Sequence, residues 1–250
     1  MVAYFKVQNN LFMAAGAGIG LIAAVACYRR GIEPLAGYTS LFVAALMVFA
    51  GVVAGRILSV RQAGKRLGGY LKILYREEDP ERFLREFAPV VKRTPSHTAE
   101  YADGVHHLAY AWEAMGDYDR GLKLLEELEP ENLKLHRLVT CAVVENQKLR
   151  LYLLKGDAEA AWERLEGLRK LQEAAAVRAP GVGNNLKSCI RLAEIWLRTI
   201  RGEGSFSEED RNYIREEIAL AANPIHRREM EGVLRRMGEI HVTEPAAVSS

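Results

Sequence analysis

The groups that could do acid–base, nucleophilic or metal chemistry in this sequence are six histidines, three cysteines and 32 acidic residues. The histidines, His97, His106, His107, His136, His226 and His241, are scattered, and His106-His107 is the one adjacent pair. Neighbouring helix positions point about 100° apart, so that pair does not ligate one metal from one face. Cys27, Cys141 and Cys189 are widely spaced and form no C-x-x-C, which supports neither a zinc ribbon nor a dithiol couple. They read as small buried residues. Glu126, Glu127, Glu129 and Glu131 cluster at the end of an apolar-periodic stretch, where a solvated face accounts for them better than paired-carboxylate catalysis. There is no H-E-x-x-H, phosphate loop or G-x-S-x-G. Gly16-Ala17-Gly18-Ile19-Gly20 has the glycines of a dinucleotide loop but not its spacing. The expectation is a chain with no catalytic residues, no metal and no cofactor. With 34 basic against 32 acidic residues, bulk charge implies no nucleic-acid partner either.

The elements that must position everything else come first in the chain. Leu11 to Cys27 and Tyr38 to Gly55 are two runs of apolar and small residues without a charge. Each is close to the roughly 20 residues that a helix needs to cross about 30 Å of hydrocarbon. The stretch between them, Tyr28 to Gly37, holds Arg29, Arg30, Glu33 and Pro34. A strand pair with open edges is excluded in lipid, so the reading is a transmembrane hairpin of helices at about 11–28 and 38–58. Gly16 and Gly20, and Gly51 and Gly55, form one G-x-x-x-G in each run, a spacing that lets helix backbones approach. The contact they serve is either between the two helices or between copies of the chain. Ala24-Val25-Ala26-Cys27 has a faint lipoprotein-signal character, but Ala24 is small and Lys6 is the whole positive n-region.

From Arg56 to Arg76 the chain carries six basic residues and no acid. The surplus predicts both termini in the cytoplasm of a bacterial-type membrane, with Arg29 and Arg30 arguing mildly the other way. Arg61, Lys65, Arg66 and Lys72 are candidate contacts for anionic lipid. Leu67, Leu71 and Leu74 repeat at helical spacing, which allows this stretch to lie along the interface, and Gly64, Gly68 and Gly69 supply a hinge.

The remainder reads as helix throughout. Asp79-Pro80 and Thr94-Pro95 are start signals. Val105, Leu108, Ala109, Trp112 and Met115 lie on one helical face, and Gly116-Asp117 breaks the helix. Helices at about Tyr118–Glu129, Leu133–Leu154 and Ala158–Gln172 follow, with Pro130 and Gly156-Asp157 between them. Ala179 to Asn185 reads as a loop before a helix carrying Leu186, Ile190, Ala193, Trp196, Leu197 and Ile200. Ser207-Glu208-Glu209-Asp210 is a capped start, Asn223-Pro224 begins the last helix, and Glu239 to Ser250 reads as a disordered tail.

Helix, Gly-Asp turn, helix therefore occurs twice, around Gly116 and Gly156. The copies, from Leu108 through Leu125 and from Leu149 through Leu168, resemble the tetratricopeptide repeat. Ala109, Gly121 and Ala161 match its small positions, Trp112 and Tyr152 its aromatic position, and the two glycines its turn. The copies lie forty residues apart rather than the family's thirty-four, and Leu128 and Leu149 stand where that family prefers small residues. The resemblance covers about Ala102 to Leu171. It implies a partner groove lined by the first helix of each repeat, which by position is His106, Tyr110, Glu113, Asn146 and Arg150. The whole is thus expected to be all-α. It comprises a transmembrane hairpin (1–60), a basic juxtamembrane segment (61–78), a helical-repeat domain (79–238) and a tail (239–250). The expected function is a non-enzymatic membrane-anchored scaffold that binds a protein or peptide, with homo-oligomers through the transmembrane helices. An accessory subunit of a larger membrane complex is the alternative, and an unrecognised membrane enzyme stands behind both.

Overall fold

A computed structural model describes residues 6–29, 38–128, 137–203, 205–221 and 223–243, with the backbone alone at 6–9, 27–29, 38–42, 137 and 239–243. Every regular element among the described residues is an α-helix: α1 (Lys6–Arg29), α2 (Tyr38–Tyr75), α3 (Pro80–Lys92), α4 (Ala99–Ala114), α5 (Tyr118–Glu126), α6 (Arg137–Lys155), α7 (Ala158–Arg178), α8 (Pro180–Arg201), α9 (Glu208–Leu220) and α10 (Pro224–Thr243). The expected turn around Arg30 to Gly37, the residues Glu129 to His136 with Pro130, and the tail from position 244 lie outside the described residues. The chain divides into two compact units, Met1–Lys72 with Pro89–Tyr101, and Ile73–Ala88 with Ala102–Ser250.

In the first unit α1 and α2 pack antiparallel through their glycines. A Cβ built on Gly16 would fall on the Gly51 carbonyl oxygen, and one on Gly51 would fall on that of Gly16. A Cβ on Gly20 would stand 2.8 Å from the Val48 Cα, and one on Gly55 would meet the Phe12 carbonyl. In the pairs Gly16–Gly51, Gly20–Met47 and Phe12–Gly55 the two residue numbers total 67, so one register holds along the contact. That register sets Leu11 level with Arg56, making the two apolar runs flush. Ile19, Ile22, Leu46, Phe49 and Ile57 are more than half exposed. Val43–Tyr75 is long and apolar enough to cross a membrane, whereas the apolar part of α1, Asn10–Ala26, is shorter.

The basic stretch differs from expectation. No break occurs at Gly64, Gly68 or Gly69, and α2 continues unbroken to Tyr75. A glycine inside a helix costs only about 1 kcal/mol, and burial of Ser59, Ala63, Leu67, Ile73 and Leu74 along one stripe holds the helix together. Arg61, Lys65 and Lys72 are exposed, and by helical spacing they share the face opposite that stripe.

In the second unit the two Gly-Asp turns are built alike. Gly116 and Gly156 adopt φ of 78° and 75°. Asp117 N–H donates to the Trp112 carbonyl at 2.9 Å and Asp157 N–H to that of Tyr152 at 3.0 Å, which caps each preceding helix. Each aspartate then accepts from a backbone N–H three residues on, Arg120 at 3.2 Å and Ala160 at 3.1 Å, and so starts the next helix. Gly202 (φ 65°) ends α8 with the same bond, from Glu203 N–H to the Arg198 carbonyl. The link to α9 is longer there, and it ends on the Ser207–Asp210 capping box. Three helix pairs therefore stand in series, α4/α5, α6/α7 and α8/α9, followed by α10. Leu149, Leu153, Leu165, Leu168, Trp196, Ile214, Met230 and Met237 form a continuous core across α6 to α10. The structure is compatible with a helical-repeat fold.

Four further boundaries move. The expected loop Ala179–Asn185 is helical from Pro180, with proline at the first position, where no N–H donor is needed. A single residue, Ala179, joins α7 to α8, and α7 itself runs to Arg178 instead of Gln172. The Thr94-Pro95 signal opens a turn first: Thr98 N–H bonds the Pro95 carbonyl, and Thr98 Oγ1 then accepts from Tyr101 N–H to start α4. At the far end, α10 extends through Thr243, into the segment read as tail.

Candidate binding cleft around Arg150

His106, Tyr110 and Glu113 recur at four and three residues on α4, and Asn146 and Arg150 at four on α6, so each set shares one helical face. The structure brings all five together. Gln147 Nε2 donates to the His106 carbonyl at 3.3 Å, which turns its Oε1 toward the His106 Nδ1, 2.5 Å away. An amide oxygen only accepts, so the His106 proton sits on Nδ1. His107 Nδ1 lies 3.0 Å from the Tyr75 hydroxyl, and its Nε2 is 3.7 Å from Asp103. The two histidines are thus held separately, by an amide and by a phenol.

Arg150 is the centre. Its Nη2 stands 2.9 Å from Glu113 Oε1 and 2.6 Å from Glu229 Oε2, and its guanidinium lies over the Tyr110 ring at 5.2 Å. Asn223 Nδ2 bonds the Tyr110 hydroxyl, and the Tyr75 ring sits 5.1 Å from that of Tyr110. His226 stands 3.7 Å from Glu229 and 3.9 Å from Glu217. One guanidinium therefore serves two carboxylates, from α4 and α10.

The electrostatics follow from burial. The Glu113 side chain is 1% exposed, and neither of its oxygens has an aligned hydrogen-bond donor despite the close Arg150 nitrogen. Burial pushes its carboxyl up to about 7, with Arg150 opposing and Glu229 reinforcing. Burial likewise lowers His106 to about 4, helped by neighbouring His107 and opposed by the Gln147 bond. Burial alone would lower the Arg150 guanidinium, but Glu113 and Glu229 more than reverse it.

Two hollows adjoin at Asn146 and Arg150. One of about 500 Å³ is lined by Tyr75, Arg76, His106, Tyr110, Gln147 and Asn223 besides those two. The other, of about 170 Å³, is lined by the apolar Leu149, Leu153, Leu192 and Trp196 and by the polar Glu217 and His226 besides those two. The cleft offers hydrogen-bonding amides, two phenols and an exposed cation at Arg76, a set suited to recognition. Among the described residues no three His, Cys, Asp or Glu converge as a metal-ligand set.

The open groove expected from the repeat resemblance is partly filled by the chain itself. Tyr110 is 4% exposed, and Glu113 and Arg150 are committed to an internal ion cluster with Glu229. Tyr75, Gln147, Asn223, His226 and Glu229 were not anticipated. Asn223 meets Tyr110 across 113 positions and Glu229 meets Arg150 across 79, and neither lies in the two repeat copies, so no local pattern pointed to them. The remaining candidates fall elsewhere: the four packing glycines on the α1–α2 contact, and Arg61, Lys65, Arg66 and Lys72 on exposed positions of α2. Glu126 and Glu127 end α5, while Glu129 and Glu131 lie outside the described residues. Cys141 and Cys189 are half-buried.

Comparison with protein-family models, with curated proteins and with solved structures finds no match to this chain.

Proposed function

We propose that this chain is a membrane-anchored helical scaffold: α1 and the first half of α2 cross the bilayer as a hairpin, and the helical pairs that follow bind a protein or peptide partner. The observation that carries the reading is the band of exposed apolar side chains on α1 and α2. Only 11% of the apolar window in α2 is buried, so that part of the helix is no core element of a folded unit, and hydrocarbon is the medium in which such a surface is stable. The flush register supports the hairpin, since neither helix would drag a polar segment into the slab. The glycine faces are turned on each other inside the chain, which favours a self-contained hairpin over one that completes itself on another protein. A tether of this kind raises the effective concentration of the helical unit toward membrane partners.

The test has two arms on the full chain. After alkaline washing of membranes the protein stays in the pellet; recovery in the supernatant would refute the anchor. For the partner cleft, Tyr110→Ala and Arg150→Ala are unsuitable, because both residues hold the fold. Arg76→Glu and Asn146→Asp change its rim instead, at an exposed and a half-buried position. A partner crosslinked to the wild type through the cleft is expected to be lost from both variants while their thermal stability is unchanged. Undiminished crosslinking would remove the cleft from the account.

A further inference from the structure

Resting on the hairpin reading, we infer that Arg61 and Lys65 form a collar for anionic phospholipid headgroups and that Lys72, on the same face, lies beyond its reach. The α1–α2 register places the polar edge. Asn10, the last polar residue before the apolar run of α1, falls level with Ile57 of α2, and position 6 falls level with Arg61. Beyond Ile57 the helix is continuous, so height follows from the rise of about 1.5 Å per residue. Arg61 stands about 6 Å past the edge, Lys65 about 12 Å and Lys72 about 22 Å. The headgroup layer takes up roughly 5–7 Å on each side, and attraction to it decays over about 8 Å at physiological salt. Arg61 therefore lies within the layer and Lys65 less than one screening length outside it. Lys72 is about two screening lengths away.

Charge and exposure agree with that occupant. Arg61 and Lys65 are exposed and lie opposite the buried stripe of Ser59, Ala63 and Leu67. No acidic residue occurs in the sequence between Arg56 and Arg76. The surface continues from the exposed apolar band, whose last members, Leu58 and Val60, stand about 2 and 5 Å past the edge, within the headgroup layer. Arg66 is rotated about 100° from Lys65 and is not part of the collar. The unbroken helix thus divides the basic residues by height, a distinction that a hinge at Gly64 would have erased.

The full-length protein is reconstituted into phosphatidylcholine vesicles containing trace spin-labelled phosphatidylglycerol or spin-labelled phosphatidylcholine, and the immobilised fraction of each is compared. The wild type is expected to enrich the anionic lipid severalfold, R61Q/K65Q to return the ratio to about one, and K72Q to match the wild type. Persistent enrichment in R61Q/K65Q, or equal loss in K72Q, would overturn the collar. Vesicle flotation is scored on the same samples: a chain that does not float refutes the hairpin itself and the collar with it, whereas floating without selectivity refutes the collar alone.

Discussion

Gly16 and Gly51 approach so closely that a Cβ on either would land on the other's carbonyl oxygen. The contact is backbone against backbone and leaves a side chain nowhere to move. Gly51→Leu should therefore force α1 and α2 apart and lower the detergent-solubilised stability by about 1–3 kcal/mol, as overpacking does. Gly18→Leu is the control, because nothing lies within 4 Å of its new Cβ. Equal thermal stability of the two variants would remove the glycine face as the organising contact.

Arg150 is the cation within ion-pair distance of both Glu113 and Glu229. Arg150→Met should cost about 3–5 kcal/mol by leaving two largely buried carboxylates without it. Adding Glu113→Gln and Glu229→Gln should restore most of that loss. Chemical denaturation of the single and triple variants measures both, and a triple variant no more stable than Arg150→Met would show that the loss was packing.

The pH dependence has two opposed sources. Glu113 titrates higher in the folded chain, at about 7, than its ordinary 4.5, so the folded state holds the extra proton and stability is lost as pH rises from 4.5 to 7. His106 titrates lower, at about 4 against 6.5, so stability is lost as pH falls from 6.5 to 4, and His107 is shifted the same way, mainly by burial. Each group contributes up to about 1.4 kcal/mol per pH unit in its window, and the two largely cancel between 4.5 and 6.5. Glu113→Gln should show stability rising with pH across that interval, and His106→Gln should show it falling relative to wild type. Parallel pH profiles for the two variants would contradict these assignments.

Gly116 and Gly156 lie in the left-handed region with open space around them. Replacement by alanine meets no clash, so the expected cost is conformational, about 1–2 kcal/mol at each position. Asparagine, which tolerates that region, should cost less. A shift in thermal midpoint measures the order Gly, Asn, Ala; alanine as stable as glycine would refute it.

Much of this architecture was legible because the signals were local. The Gly-Asp turns, the Asp79-Pro80 start and the Ser207 cap each complete their bonds within a few residues. The stretch Pro180 to Asn185 misled because its glycines read as loop chemistry. Gly183 serves packing instead: a Cβ there would lie 2.9 Å from the backbone of Ala176, so the residue lets α8 cross close to α7. The glycines of α2 misled similarly, since a buried stripe outweighed their weak helix preference. At the cleft, the face carrying His106, Tyr110, Glu113, Asn146 and Arg150 was readable from periodicity. Its partial filling by α10 was not, because Glu229 acquires its role only through a contact made far along the chain.

The central claim is that α1 and α2 cross a bilayer together and return to the side they left. Single cysteines at Asn9, Glu33 and Arg61, in a full-length chain with Cys27, Cys141 and Cys189 replaced, report it through a membrane-impermeant maleimide on intact bacterial cells. The account predicts labelling at position 33 in intact cells, and at positions 9 and 61 only after the membrane is opened. Labelling at 9 and 61 on opposite sides, or at all three without opening, would contradict it.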